Sequence, residues 1–149
     1  MATIEGYVSV FGEFSDPIPE GDGRPFFEKM CPGAFSRVLA QGSDVSINLE
    51  HKSEQVFGRR GDGSLCLVED ETGLFFQCVI PNSPLGLLVL NGVRSGLYRG
   101  GSIKMLIGDS RLVTGYDRPI REVVEVGRLV HVTLTHSPAY RGTWVRVTG

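Results

Sequence analysis

The stretch that decides the fold is Leu129-Val-His-Val-Thr-Leu-Thr135, in which apolar and polar side chains alternate. A period of two is typical of a β-strand that packs one face against a core. The stretch Gly101-Ser-Ile-Lys-Met-Leu-Ile107 alternates in the same way. The predicted apolar faces consist of Ile103, Met105 and Ile107 in one strand and Val130, Val132 and Leu134 in the other. Ser102 and His131 are therefore predicted to point away from the core.

Similar patterns along the rest of the chain predict about eight strands and two short helices. The predicted strands are 6–14, 45–49, 64–68, 74–80, 102–107, 121–126, 128–135 and 143–147. The helices are predicted at 32–40 and at 83–94, where Ser83 is a good N-cap and Pro84 fits the first turn. Residues 15–24 are rich in Pro, Gly and Asp and are predicted to form a loop. Short strands at this spacing favour a closed or nearly closed antiparallel barrel.

Composition limits the class of protein. The chain has 149 residues, which is the usual size of one domain, and its formal net charge of −2 does not favour nucleic-acid binding. The three cysteines lie in no Cys/His cluster, so neither a disulfide framework nor a zinc site is expected. The longest apolar run, 85–93, is far shorter than the roughly 20 residues that span a bilayer. With no basic N-terminal region before an apolar stretch, we expect a soluble intracellular protein.

Hydrolytic chemistry without a metal requires a nucleophile, a general base and a group that orients the base. Ser102 and His131 are each predicted to point outward from their strand, which permits such a site on the outer wall. His51 shares strand parity with Val45, Ile47 and Leu49, the apolar positions of its own strand. It can reach an outward site only if the strand ends, twists or bulges near Glu50.

Several segments, in order, carry a family resemblance. They are Gly6-Tyr-Val-Ser-Val-Phe-Gly12, Pro32-Gly-Ala-Phe-Ser-Arg-Val-Leu39, the strand that closes on His51, the opening Gly73-Leu74, Gly101-Ser-Ile103, Val130-His-Val-Thr-Leu134 and Ser137-Pro-Ala139. Together they resemble the prohead (capsid maturation) proteases of tailed bacteriophages, which share the fold of herpesvirus assemblins. The resemblance implies one domain over residues 1–149 that is mainly β, with short helices around an antiparallel barrel of about seven or eight strands.

The resemblance also implies roles for individual residues. Ser102 matches the family's nucleophile and His51 its catalytic histidine. His131 stands where the phage enzymes usually have an acidic residue, but herpesvirus proteases use a second histidine as the third member. Lys104 stands where the phage pattern favours glycine. Arg141, in the segment after His131, is the candidate for the oxyanion loop, and its alternative interpretation is a solvated surface charge.

The expected function is that of a serine endopeptidase with a Ser-His-His triad. By resemblance, it would cleave scaffold or major capsid proteins during prohead maturation, with possible self-cleavage, inside the assembling prohead in the host cytoplasm. No cofactor, metal, nucleic acid or membrane is expected, and a homodimer is expected by analogy with the herpesvirus enzymes. The alternative is a catalytically inactive module of the same fold that serves in assembly or binds scaffold.

Overall fold

The computed structural model describes residues 2–19, 25–114 and 117–149, and in this part the chain is mainly β. These ranges hold ten strands, two α-helices and one 3₁₀ turn at Ser53–Gln55. The strands are β1 (Thr3–Val10), β2 (Ile18–Pro19), β3 (Pro25–Met30), β4 (Ser46–Leu49), β5 (Val56–Arg59), β6 (Leu65–Glu69), β7 (Gly73–Val79), β8 (Gly100–Val113), β9 (Ile120–Thr135) and β10 (Trp144–Thr148). The helices are α1 (Ser36–Ala40) and α2 (Pro84–Arg94).

The strands form two sheets. One has the order β10-β1-β7-β6, and the other has the order β2-β3-β9-β4-β5 with β8 also paired to β9. Strand β9 organises the second sheet: β8 follows it antiparallel along its whole length, while β3 and β4 pair with its first and last residues. The mainly β class with short helices is confirmed. The antiparallel barrel needs correction, because β3 and β4 are parallel to β9 and the sheets do not close.

The core lies between the sheets. Val132 and Leu134 of β9 are fully buried and stand opposite Ile47 and Leu49 of β4. Next to Ser102 the sheets approach so closely that a Cβ on Gly101 would lie 2.6 Å from Cγ1 of Val8. A side chain at that position would therefore push β8 away from β1.

Several predicted elements are confirmed in place. Helix α2 begins where the sequence indicates, because Ser83 caps it by accepting a hydrogen bond from the Gly86 amide at 3.1 Å. In the predicted helix 32–40 only Ser36–Ala40 is helical, and residues 32–35 are turns. The predicted strands at 45–49, 64–68, 74–80 and 143–147 agree with β4, β6, β7 and β10 to within a residue or so.

Other predictions are wrong. Strands β3 and β5 were not predicted, the predicted loop 15–24 contains β2, and residues 20–24 lie outside the described residues. The predicted strands 121–126 and 128–135 are one strand, because the pairing with β8 resumes beyond Gly127, which lies against Gly108 where the register shifts. Strand β1 starts and ends earlier than 6–14, and β8 extends beyond 102–107 at both ends. A register shift beside Met105 places Leu129 in the core instead of Val130.

Candidate active site

His51 leaves the apolar side of its strand through a left-handed turn. Strand β4 ends at Leu49, and the next two residues, Glu50 and His51, have φ angles of 51° and 60°. Non-glycine residues rarely adopt this region, so two in succession must be held by their surroundings. The turn breaks the strand's alternation and leaves the His51 side chain exposed rather than in the core. The strand therefore ends at the position that the sequence analysis required.

Glu50 anchors the turn to the end of β9. Its carboxylate accepts hydrogen bonds from the Thr135 hydroxyl at 2.9 Å and from the His136 amide at 2.8 Å. The Nδ1 atom of His136 lies 2.9 Å from the same carboxylate. Desolvation raises the pKa of Glu50, but the hydrogen bonds from His136 and Thr135 outweigh it and the net pKa is lowered. His136 thus supports the turn rather than the predicted catalytic groups.

A second anchor lies beneath the His51 backbone. The His51 amide donates to Oγ1 of Thr133 at 3.0 Å, and that hydroxyl in turn donates to the backbone carbonyl of Asn48 at 3.1 Å. Thr133 and Asn48 are 0% and 1% exposed, although both belong to the polar face of the sheet. Buried hydroxyl groups need such partners, so Thr133 fixes the position of the His51 backbone amide.

The two predicted catalytic histidines are in direct contact. His51 Nδ1 lies 2.8 Å from His131 Nε2, although the residues are 80 positions apart. Desolvation lowers the pKa of His51, with a further lowering by the charge of Lys104 and an opposing effect of Glu50. The pKa of His131 is likewise lowered, first by desolvation and then by the charges of His51 and Lys104. Both rings are therefore neutral near pH 7, so one can donate and the other accept.

Ser102 lies on β8, two residues before Lys104, the residue that pairs with His131. It stands opposite Thr133 in the β8–β9 pairing, and Lys104 stands opposite His131. Side chains directly opposite in an antiparallel pair have Cβ atoms about 4.5–5.5 Å apart. Ser102 is therefore a neighbour of the same threonine that accepts the His51 amide. Within the described ranges, the Ser102 hydroxyl and the His51 ring form no hydrogen bond with each other.

Arg141 forms an ion pair with Asp16. Its Nε atom donates to Asp16 at 3.2 Å, and 82% of its side chain is exposed. It lines an open pocket of about 470 Å³ together with Arg99 and Thr143. The Thr143 hydroxyl accepts the Gly101 amide at 3.1 Å, which ties this segment to the residue before Ser102.

A family model described as caudovirus prohead serine protease matches residues 1–148 of the chain. The chain belongs to that family. The resemblance read from the sequence is thereby confirmed. No significant match is found among curated protein sequences.

Two solved structures have a fold similar to that of this chain. The chain is similar to varicella-zoster virus protease, with a TM-score of 0.55, 17% identity, and coverage of 98% of this chain and 63% of that one. It is also similar to Kaposi's sarcoma-associated herpesvirus protease, solved with a hexapeptide phosphonate inhibitor, with a TM-score of 0.56, 17% identity, and coverage of 99% and 65%. The chain thus spans slightly less than two thirds of the length of these two proteins, and the herpesvirus-protease-like fold is confirmed.

Sequence reasoning missed the groups that support the candidate site. Thr133 and Thr135 share strand parity with His131 and so belong to the polar face, which was the available signal. Their burial and their contacts with Asn48 and Glu50 depend on the pairing of β9 with β4. In the described part, no group of three or more His, Cys, Asp or Glu is placed to hold a metal ion. No helix there is long and apolar enough to cross a membrane.

Proposed function

We propose that this member of the prohead serine protease family is a serine endopeptidase with Ser102 as nucleophile, His51 as general base and His131 as the residue that orients His51. The observation that carries the proposal is the 2.8 Å contact between His51 Nδ1 and His131 Nε2, with Ser102 in the adjacent row of the same sheet face. A nucleophile, a base and an orienting group are the three parts that acyl transfer by serine requires.

The protonation states of the histidine pair support these roles. For His51 Nε2 to accept the serine proton, its Nδ1 must carry a hydrogen and donate it to His131 Nε2. His131 then carries its own hydrogen on Nδ1. The pKa of each histidine is lowered, chiefly by desolvation, so both are neutral at pH 7 and this arrangement is available. His51 then returns the proton to the leaving amine.

Three events follow in the proposed reaction. Ser102 Oγ attacks the substrate carbonyl as its proton moves to His51, and the C–N bond breaks as that proton passes to the amine. Water then hydrolyses the acyl-enzyme by the same path. Because a neutral imidazole stabilises the His51 cation less than a carboxylate would, turnover is slow. Arg141 is proposed as an oxyanion-loop residue on the strength of its segment being tied to Gly101.

The proposed substrates are scaffold or major capsid proteins, with self-cleavage, inside the assembling prohead in the host cytoplasm. Family membership supports this assignment. An edge strand suits such extended substrates: among the described residues, β8 pairs with no strand other than β9, so beyond the Gly101 amide, which donates to Thr143, its other edge can pair with a peptide. Assembly as a homodimer is proposed from the likeness to the herpesvirus proteases.

The test is covalent labelling with a fluorophosphonate at mildly alkaline pH, where the histidines are neutral, read by intact mass and peptide mapping. We expect one adduct on Ser102, none in Ser102→Ala, and a normal adduct in Ser110→Ala, an exposed serine of the same strand. No adduct in the folded parent would overturn the proposal and favour an inactive assembly module.

A further inference from the structure

A small pocket lies beside Ser102, between β8, β1 and the segment after β9. Its volume is about 100 Å³. Apolar side chains form most of its wall, namely Val8, Ile18, Ile103, Met105 and Ala139. Because Ser102 is itself part of the wall, a group that fills the pocket lies next to the proposed nucleophile.

Ser9 supplies an unpartnered hydroxyl to this pocket. The residue is 1% exposed, and its Oγ is buried with no hydrogen-bond partner in the described part of the chain. A register shift between Tyr7 and Ser9 in the β1–β7 pairing interrupts the alternation, so that Val8, Ser9 and Val10 are all buried. Bulges of this kind re-aim side chains and are common next to active sites. A hydroxyl in this position costs stability unless something binds to it.

Glu28 provides the second polar group of the pocket. It is buried, and its carboxylate accepts the Tyr140 hydroxyl at 3.0 Å and Nη2 of Arg121 at 3.2 Å. Desolvation and the charge of Glu28 raise the pKa of Tyr140, so the phenol stays protonated and keeps donating. A carboxylate has about four lone-pair sites, so two remain for a further donor. The polar side of the pocket thus accepts a hydrogen from an incoming group.

The volume limits what can enter. One water occupies about 30 Å³ in the liquid, so a pocket of about 100 Å³ holds roughly three to four non-hydrogen atoms. The side chains of serine, threonine, alanine and valine fit within that limit, whereas those of phenylalanine and arginine do not. Of the four that fit, only serine and threonine satisfy the Ser9 hydroxyl.

We propose that this is the specificity pocket of the protease, and that it accepts a short, hydroxyl-bearing side chain of the substrate residue whose carbonyl Ser102 attacks. The hydroxyl of that side chain hydrogen bonds to Ser9 Oγ. The inference rests on the proposed function, because it requires Ser102 to be the nucleophile.

The experiment compares tripeptidyl diphenyl phosphonates that differ only in the side chain next to phosphorus: hydroxymethyl, methyl, isopropyl and benzyl. Each labels by attack of Ser102 Oγ on phosphorus, which forms a P–O bond and expels phenoxide, while the serine proton passes to His51. The proteins are the full chain, Ser9→Ala, Ser9→Val and, as a matched control on an exposed strand position, Ser110→Val. A fluorophosphonate without a peptide side chain reports the reactivity of Ser102 separately.

In the parent chain, we expect hydroxymethyl to label fastest and benzyl slowest. In Ser9→Ala the advantage of hydroxymethyl over methyl, about three- to tenfold for one hydrogen bond, is lost. In Ser9→Val the filled pocket slows the hydroxymethyl probe by about tenfold or more. Fluorophosphonate labelling stays unchanged in Ser110→Val, and the rate of each peptidyl probe in a Ser9 variant is divided by the fluorophosphonate rate of that same variant. Thermal unfolding of Ser9→Ala occurs at or above the parent temperature, since no hydrogen bond within the protein is removed.

The outcomes separate the two proposals. If the fluorophosphonate does not label Ser102, the proposed function fails and the pocket assignment fails with it. If it labels normally but methyl equals or exceeds hydroxymethyl in the parent, or Ser9→Val behaves like Ser110→Val, the pocket assignment alone is overturned. A pocket filled only by ordered water gives that second result.

Discussion

The two ends of the β8–β9 hairpin differ in what covers their polar face. At one end, Thr133 and Asn48 are buried beneath the Glu50-His51 turn. Away from that end, Leu106 in the middle of β8 and Leu112 near its last residue are 58% and 69% exposed. The same two strands run through both regions, so strand pairing alone does not make a site. Strand β9 carries a third strand at both ends, β3 at one and β4 at the other, so the difference lies in the Glu50-His51 turn that follows β4 and in the contacts that anchor it.

The largest effect is expected from breaking the histidine pair at the covered end. His51→Ala should reduce peptidase activity by about 10⁶-fold, as loss of a general base does in serine proteases. His131→Ala should cost less, about 10²- to 10⁴-fold, because it only orients the base. Steady-state kinetics and thermal unfolding of both variants provide the measurement. An equal loss, or a larger one in His131→Ala, would contradict the proposed division of roles.

The second largest effect is expected from a Thr→Val substitution at the covered end of the β8–β9 hairpin, compared with the same substitution near the other end. Thr133→Val keeps the shape but removes the hydroxyl that accepts the His51 amide, which leaves buried groups unpaired. We expect the free energy of unfolding to fall by about 1–3 kcal/mol, and activity to fall because His51 is less well placed. Thr114→Val, at an exposed residue just beyond the other end of β8, should change neither quantity measurably. Similar denaturation midpoints for the two variants would show that Thr133 does not hold the turn.

A smaller effect concerns pH. Lys104 lowers the pKa of both histidines, although desolvation is the larger cause for each. Activity requires neutral His51, so the rate of the parent should fall only below the usual histidine value of about 6.5. Removing the charge in Lys104→Gln raises both pKa values, so the acid limb of the kcat/KM profile should move to higher pH. Added salt should reduce the difference, because Lys104 is exposed. A shift to lower pH would have the wrong sign.

The smallest effect is expected at the uncovered end. Arg111 and Glu122 form an ion pair across the hairpin with an N–O distance of 3.6 Å, and the arginine side chain is 66% exposed. Exposed pairs contribute about 0–1 kcal/mol, so Arg111→Ala should alter the free energy of unfolding by about 0.5 kcal/mol or less and leave labelling of Ser102 unchanged. A loss as large as that of Thr133→Val would mean that the two ends are energetically alike.

Sequence reasoning succeeded where the deciding pattern is local. Alternation in 102–107 and 128–135 predicted two strands, and the capping serine predicted the start of α2. It failed where a local pattern misleads or is missing. Gly127 resembles a strand break, yet it lies inside β9 against Gly108, and Val56–Arg59 is too short to show a period. Strand β3 follows a Pro- and Gly-rich stretch that favours a loop.

By itself, the sequence determined a mainly β chain and the outward direction of Ser102 and His131, because side-chain direction in a strand depends only on neighbouring residues. The family resemblance added His51. Tertiary structure alone decided that His51 meets His131, because this contact depends on the parallel register of β4 on β9 and on the turn held by Glu50 and Thr133. It also decided that Ser9 faces the pocket beside Ser102, through a bulge that no alternation pattern records. These contacts join residues far apart in the chain, and their geometry follows from the packing of whole strands rather than from local preference.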